Sequence, residues 1–335
     1  MNSDHRINVA VIGVGAFGRN HVRVYQQLER QGEPGRLAAI VDTDTSRADA
    51  VAKEYGTRSL GSVEQLIATR NEIQAASVAV PTVAHLSVAR KLMEAGIDVL
   101  IEKPLAPSLA EADELVRVAN SHGRIAQVGH LERFNPAVRA TAPLITQPMF
   151  FEVHRLSVFT PRSLDIDVVL DLMIHDLDIV LSFVNSPVKE IRAVGLPILS
   201  GKVDIANVRM EFDSGCVANF TASRVSTERV RKLRFFQPGQ YISIDYSRQD
   251  VLVFSVGQDG VPSANPQISV TKPPVTSEEP LQAELRSFLS AVRTRSEPEA
   301  PLGEGRRALG VALDVLAAIR EHGKKVNLDK LAIPR

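Results

Sequence analysis

Two short stretches carry side chains whose types and spacing suit proton transfer to or from a hydroxyl group. The first is Asp171-Leu172-Met173-Ile174-His175-Asp176-Leu177-Asp178. On a helix, Asp171 and His175 are four residues apart and share one face, with Asp178 on that face and Asp176 pointing elsewhere. A carboxylate beside an imidazole raises its basicity and fixes its orientation, as a general base for a secondary alcohol requires. The neighbours Val168, Val169, Leu170, Leu172, Met173, Ile174, Ile179 and Val180 are apolar. The helix is therefore expected to be buried, and buried charge needs a purpose or a partner. A structural Asp–His pair is the alternative. The pair also has metal-ligand chemistry, but no third ligand is spaced to complete a site, so no metal is expected. The second stretch is Ile101-Glu102-Lys103-Pro104. A lysine at the carboxyl end of a strand can hold a hydroxyl and stabilise a developing alkoxide. An ordinary surface lysine is the alternative. Lys103–Pro104 is a candidate cis peptide, because X–Pro bonds adopt cis at modest cost.

The elements that must position these groups are legible from residue 9 onward. Val9 to Ile12 is an apolar run that reads as a buried parallel strand, followed by Gly13, Gly15 and Gly18 in G-x-G-x-x-G spacing. Gly13 permits the tight turn, Gly15 lets backbone approach a pyrophosphate, and Gly18 lets the helix pack closely on the strand. The helix start at Ala16 and Phe17 presents free N–H groups and a positive dipole end to the phosphates. A second apolar run, Leu37 to Val41, ends at Asp42. A carboxylate about 20 residues past the glycines can accept hydrogen bonds from both ribose hydroxyls of NAD and would repel the 2′-phosphate of NADP. NAD is the expected cofactor.

Strands and helices then alternate to about residue 130. Helices are expected over 47–55, 62–69 (capped by Ser62), 84–95 and 109–121, and strands over 75–80, 98–101 and 124–129. Repeated βα units imply a parallel sheet with helices on both faces, and ligands bind at the carboxyl ends of such strands. Gly13, Asp42, Thr82 and Lys103 all fall there. After about residue 148 the pattern changes. Strands are expected over 150–156, 188–195, 206–212, 217–226, 231–237, 241–245 and 251–256, with a helix over 168–183. Strands joined by short turns imply a largely antiparallel sheet. Helices over 281–293 and 306–322 close the chain and are expected to pack back on the first domain. The expected domains are a dinucleotide-binding domain over 1–130, a substrate and oligomerisation domain over 131–300 and a returning helix over 301–335.

Composition bounds the partners. The 335 residues are enough for two cores, and 44 % hydrophobic with 23 % charged residues is ordinary for a globular protein. Lys+Arg and Asp+Glu are both 39, which removes the bulk electrostatic case for nucleic acid or an anionic membrane. One cysteine, Cys216, excludes an intrachain disulfide and a cysteine-based zinc site. It follows the turn signal Asp213-Ser214-Gly215 and reads as a strand residue rather than a reactive thiol. The first strand begins too early for a signal peptide and no stretch reaches membrane-spanning length, so a cytoplasmic location is expected.

The order G-x-G-x-x-G, strand-end Asp42, Pro81-Thr82 with His85, Glu102-Lys103-Pro104 and Asp171-x-x-x-His175 resembles the Gfo/Idh/MocA oxidoreductase family across essentially the whole chain. The resemblance implies a Rossmann domain followed by an α/β domain with an open, mostly antiparallel sheet, NAD(P) bound by the first, and oxidation of a sugar or polyol. It makes Lys103 and His175 the catalytic pair, either of which can be the formal base, with Asp171 assisting. It places Pro81, Thr82, His85 and Glu102 along the nicotinamide half of the cofactor. The glycine-rich segment that often precedes the family's catalytic helix is replaced here by Asp165-Ile166-Asp167-Val168-Val169-Leu170, so substrate contacts from sugar dehydrogenases with the glycines are not carried over.

Within the family, Gly129-His130-Leu131-Glu132-Arg133-Phe134-Asn135-Pro136, the 165–178 stretch, Ala222-Ser223-Arg224-Val225-Ser226 and Arg231-Lys232 are similar to the UDP-N-acetylglucosamine 3-dehydrogenases of lipid A diamino-sugar synthesis. That similarity implies NAD-dependent oxidation of the 3-hydroxyl of a UDP-N-acetylhexosamine, with an aminotransferase acting downstream. A nucleotide diphosphate needs cations. Arg133, Arg155, Arg162 and Arg224, with Asn135, are the expected substrate contacts, and Arg231 and Lys232 belong to the same cluster. The other readings are a dehydrogenase of a free sugar or inositol, an NAD-dependent glycoside hydrolase with transient 3-oxidation, and a non-catalytic NAD-binding regulator. One sheet face of the second domain is expected to be covered by helices and the other by a second copy, which predicts a homo-oligomer.

Overall fold

Short apolar runs buried on both faces and separated by amphipathic helices build the first of two compact units. The computed structural model describes residues 6–69, 72–160, 166–257 and 268–326. Among these, residues up to Leu131 together with Glu279–Leu309 form one unit, and Glu132–Glu278 with the chain from Gly310 onward form the other.

The first unit runs β1 (Ile7–Ile12), α1 (Ala16–Arg30), β2 (Gly35–Val41), α2 (Thr45–Tyr55), β3 (Arg58–Leu60), α3 (Val63–Ala68), β4 (Ala75–Val78), α4 (His85–Glu94), β5 (Asp98–Glu102), α5 (Leu109–Ser121) and β6 (Ala126–Gly129). The strands lie in the order β3-β2-β1-β4-β5-β6, all parallel. This is the doubly wound order with its crossover between β1 and β4, where ligands bind outside the strand ends. The strand β3 was absent from the sequence expectation. Its three residues are too few to set a period, and it forms because the edge of β2 offers unpaired backbone. Helix starts follow their caps: the side chains of Asp44, Ser62 and Ser108 accept from the N–H groups of Arg47, Gln65 and Glu111. The later helix α8 (Pro280–Thr294) buries Leu285, Phe288, Leu289 and Val292 in the same core as Val22, Tyr25 and Leu28 of α1. Gly35 makes room for it, since a Cβ there would stand 2.5 Å from Leu289.

The second unit opens with α6 (Pro136–Thr141), a short helix the sequence pattern did not reveal. Then come β7 (Phe150–Val158), α7 (Ile174–Phe183), β8 (Val188–Leu196), β9 (Ile205–Phe212), β10 (Val217–Ser226), β11 (Val230–Gln237), β12 (Gln240–Asp245), β13 (Asp250–Val256) and β14 (Ile268–Thr271). These strands form an eight-stranded sheet in the order β14-β13-β12-β11-β7-β10-β9-β8. Only β7 and β10 pair in parallel, so the sheet is mostly antiparallel, as expected. Alternate residues such as Phe151, Val153, Leu233 and Phe235 are buried on one face. That face meets α7, whose Phe183 ring lies 6.2 Å from Phe235. The other face carries a row of aromatic rings, Phe150, Phe236, Tyr241 and Phe254, at successive centroid spacings of 5.7, 4.9 and 5.3 Å. Cys216 is buried at the turn into β10, where burial pushes its thiol up to about 11. The last helix is α9 (Leu302–Lys325). Among the described residues, no helix is long and apolar enough to cross a membrane.

Candidate functional site

In the first unit Gly13 makes the tight turn and Gly18 the close helix packing that their spacing implied. Gly13 has φ +85°, a region costly for residues with a Cβ, and a Cβ there would stand 2.7 Å from the Ala79 carbonyl oxygen. A Cβ on Gly18 would overlap the Gly13 carbonyl, so close helix packing and the turn depend on each other. Gly15 is the N-cap residue of α1, makes no side-chain cap, and has open space where a Cβ would project. Ala16 and Phe17 begin the helix and are exposed, and no acidic residue occupies the first turn. Uncapped N–H groups below an open space are what a pyrophosphate needs.

Asp42 follows β2 and is 8 % exposed. Its Oδ2 accepts from the Val14 N–H and its Oδ1 from the Asp44 N–H, both at 2.9 Å. The carboxylate therefore ties the glycine turn to the end of β2, a role the sequence did not disclose. Two ionised oxygens offer about four acceptor positions, so two remain for ribose hydroxyls. The uncapped helix, the open space over Gly15 and the spare acceptors of Asp42 fit NAD.

Pro81 and Thr82 lie after β4, Pro81 exposed and Thr82 half-buried. His85 is not beside them on the surface. It is 1 % exposed, with Nε2 3.0 Å from the Val80 carbonyl and Nδ1 3.2 Å from the Leu105 carbonyl. Burial pushes its imidazole below the usual range, against the pull of these carbonyls. His85 thus pins the turn that carries Thr82 to the segment after Pro104.

The Lys103–Pro104 bond is cis, as the sequence suggested. Lys103 follows the last residue of β5, and its N–H donates to Glu102 Oε2 at 3.2 Å. Glu102 Oε1 is 2.9 Å from Nε2 of His21, on α1. Burial alone would raise the Glu102 carboxyl, but the His21 hydrogen bond and the charges of His21 and Lys103 outweigh it and hold Glu102 below the usual range. Gly129 gives this carboxylate its room, since a Cβ there would stand 3.2 Å from the Glu102 carboxyl carbon. Beyond Glu102 lies a group that sequence reasoning missed. Glu284 of α8 is 1 % exposed, and both its oxygens are buried without a hydrogen-bond partner. Burial, with the charge of Glu102, pushes its carboxyl well above the usual range. Its signal in the sequence is an acidic residue within the apolar stripe of Leu281, Leu285 and Phe288.

In the second unit the 168–183 helix departs from the expected regularity. Val169–Met173 is a π-helical turn, and only Ile174–Phe183 is α-helical. Such turns insert an extra residue into a helix and recur at functional sites. The insertion shifts the faces. Asp171 and His175 remain half-buried, whereas Asp178, expected beside them, is buried with Asp176. Asp178 receives both arms of Arg133, at 2.6 and 2.7 Å. Asp176 receives both arms of Arg155, at 2.6 and 2.9 Å, and a third Arg155 nitrogen reaches Glu132 at 3.0 Å. Arg155 itself is 2 % exposed, with the Tyr246 ring 5.1 Å away.

The expected substrate contacts are therefore largely braces. Arg155 lies inside the fold, a correction to its reading as a substrate contact. Asn135 is buried, caps α6 through the Ala137 N–H, and donates to Glu132 and the Tyr246 carbonyl. Arg224 is 5 % exposed, hydrogen-bonds the Ile166 and Val203 carbonyls, and stands 3.3 Å from Asp204. It anchors the chain entering the π turn, which Asp167 also ties down by accepting from the Val203 N–H. Arg162, like Asp165, lies outside the described residues. Among the described residues, no cluster of three His, Cys, Asp or Glu side chains is placed to hold a metal.

A parallel sheet in this order, a glycine turn under an uncapped helix and a strand-end acid define a dinucleotide-binding Rossmann enzyme. Comparison with known proteins makes the class specific. Residues 7–130 match the Gfo/Idh/MocA oxidoreductase family, NAD-binding Rossmann fold, and residues 148–237 match the Gfo/Idh/MocA C-terminal domain. The chain belongs to the Gfo/Idh/MocA family of NAD-binding oxidoreductases. It is 35 % identical over 314 residues to a UDP-N-acetylglucosamine 3-dehydrogenase of Acidithiobacillus ferrooxidans, covering 93 % of this chain and 97 % of that one. A solved structure of UDP-N-acetylglucosamine 3-dehydrogenase GnnA from that organism superposes with a TM-score of 0.86 at 34 % identity, covering 94 % of this chain and 98 % of its own. A scyllo-inositol 2-dehydrogenase of Bacillus subtilis is 28 % identical over 67 % of this chain and 69 % of its own.

Proposed function

We propose that the protein oxidises the 3-hydroxyl of UDP-N-acetylglucosamine to the 3-keto sugar with NAD. The observation that carries this reading is the end-to-end similarity to a UDP-N-acetylglucosamine 3-dehydrogenase, at an identity well above that of the inositol dehydrogenase relative. NAD, when bound, supplies the acceptor for the hydride leaving C3. Gly13, Gly15, Ala16, Phe17 and Gly18 hold its pyrophosphate and Asp42 its adenosine ribose, while Pro81, Thr82 and Glu102 border the nicotinamide end. His175 takes the hydroxyl proton, Asp171 orients the imidazole, and Lys103 holds the oxygen and stabilises its negative charge. His21 and Glu102 set the position of Lys103 through the backbone N–H that Glu102 accepts.

The 3-keto product is a substrate for a transaminase, which supports an aminotransferase as the next enzyme of a lipid A diamino-sugar route in the cytoplasm. The aromatic row on the sheet face opposite Phe235 supports a homo-oligomer. The test is NADH formation from NAD and UDP-N-acetylglucosamine, with a 3-aminotransferase and glutamate added to draw the reaction forward. Turnover is expected, and none with free N-acetylglucosamine. NADH from inositol alone would replace this reading with that of a polyol dehydrogenase. His175→Ala should lower kcat about 10²–10⁴-fold with NAD affinity unchanged, and an undiminished kcat would remove His175 from the chemistry.

A further inference from the structure

Arg231 differs from the other arginines of the helix-covered sheet face. It lies on β11 directly opposite Arg155 of β7, and directly opposed residues project to the same side of a sheet. Leu233 and Phe235, two and four residues on, are buried on that side, whereas Lys232 projects to the other. Around Arg231 stand Arg155, Glu132, Asp176 and the exposed Arg229. Two carboxyl groups, Glu132 and Asp176, and the Arg155 guanidinium thus stand close to Arg231. Its hydrogen bonding is not closed. Arg155 takes the nearest oxygens of both acids. The Arg231 Nε is buried without an acceptor, and among the described residues its guanidinium forms no ion pair. Burial and the neighbouring Arg155 push this guanidinium below its usual range. A partly buried arginine fork with unused donors matches an anion that accepts two parallel hydrogen bonds.

We propose that Arg231, flanked by Arg229, is an anion-binding residue of the substrate site and holds the diphosphate of a nucleoside diphosphate sugar. The identity of the anion rests on the nucleotide-sugar reading above, whereas the anion site rests on the geometry alone. Arg133, Arg155 and Arg224 are engaged by Asp178, Asp176 and Asp204, which leaves Arg231 to make the contact their sequence positions suggested.

The test measures binding of UDP, uridine and inorganic pyrophosphate to the NAD-loaded, full-length protein by calorimetry, for the wild type, Arg231→Met and Arg231→Lys. UDP-N-acetylglucosamine turnover is measured alongside. Arg231→Met is expected to weaken UDP binding about 10–100-fold and leave uridine binding intact. KM for the nucleotide sugar should rise far more than kcat falls. Arg231→Lys retains the positive charge but loses the fork, and should weaken UDP about 3–10-fold. It decides the question if the methionine variant does not fold. UDP affinity equal to wild type in the folded variants overturns the proposal and leaves the proposed reaction standing. A wild type that binds UDP through Arg231 but does not oxidise UDP-N-acetylglucosamine overturns the reaction and supports the anion site. A wild type that binds neither UDP nor pyrophosphate overturns the anion site.

Discussion

Each unit buries carboxyl groups beside a proposed catalytic side chain, and the two do so in opposite ways. In the first, both Glu284 oxygens are buried with no hydrogen-bond partner among the described residues, and burial, with the charge of Glu102, pushes the carboxyl well above its usual range. In the second, the buried Arg155 spans Asp176 and Glu132, and its charge and hydrogen bonds oppose the burial that raises the Asp176 carboxyl. Removing an ionised carboxylate from water is unfavourable by several kcal/mol, and a protein avoids this by protonating the group or by pairing it. Protonation leaves a group that responds to pH, while pairing leaves a rigid brace. The two sites differ accordingly. Lys103 rests on a titratable set made of Glu102, His21 and Glu284, and the His175 helix rests on ion pairs. Arg155–Asp176 and Arg133–Asp178 fix the α-helical turns around His175, while Arg224 and Asp167 fix the chain entering Asp171.

The comparison is most easily broken at Arg155. Arg155→Met removes one cation and strands two buried carboxylates. Unfolding free energy at neutral pH should fall by about 3–5 kcal/mol, as in other cases where half of a buried pair is removed. Urea unfolding measures it, and a loss below about 1 kcal/mol would mean the pairing is incidental. Acidification should narrow the gap between variant and wild type, because protonation relieves the stranded acids.

Glu284 should respond in the opposite direction. Its pKa is raised on folding, so above the ordinary glutamate range, about 4.3, the unfolded chain releases a proton that the folded chain keeps. The unfolded state then binds fewer protons, and stability declines as pH rises until the folded group itself ionises. The stabilisation is complete below the unfolded pKa. Glu284→Gln abolishes this dependence. Its stability should decline less than that of wild type between mild acid and alkaline pH, and parallel curves would show that Glu284 is ionised in the fold.

What the sequence disclosed and what it hid divide along this same line. The turn at Gly13, the packing at Gly18, the strand ends before Asp42 and Lys103 and the alternating strands were readable because they depend on local spacing and on where a strand ends. The cis Lys103–Pro104 bond was readable for a similar reason, since only proline makes it accessible. The braces were not. Glu132, Arg155 and Asp176 meet from an irregular turn, a strand and a helix, and His21 meets Glu102 across 81 positions. No periodicity encodes such pairings. Arginines in a substrate domain therefore looked like phosphate ligands when most were scaffolding. The π turn escaped for another reason. An apolar stretch such as Val168 to Ile174 fits either helix period, and the contacts at Ile166 and Val203 that hold the chain entering it are distant in sequence. His85 shows the limit of motif transfer: its position in the chain was right, but its side chain faces inward.

Arg47 provides the mildest and sharpest control, because it is also an arginine beside a buried aspartate. Its Nη1 lies 3.5 Å from Asp42 Oδ2 and its Nη2 3.0 Å from Asp44, but the side chain is 48 % exposed. Water solvates the guanidinium whether or not the pair forms, and salt screens the pair over about 8 Å at physiological ionic strength. Asp42 does not depend on it, since the Val14 and Asp44 N–H groups already hold both oxygens. Arg47→Ala should therefore change unfolding free energy by less than about 1 kcal/mol, with the small effect shrinking further in high salt. The same urea experiment that reports on Arg155 measures it. If Arg47→Ala approached the loss expected for Arg155→Met, exposure would not be what separates the two pairs, and the Asp42 turn would depend on a cation as the His175 helix does.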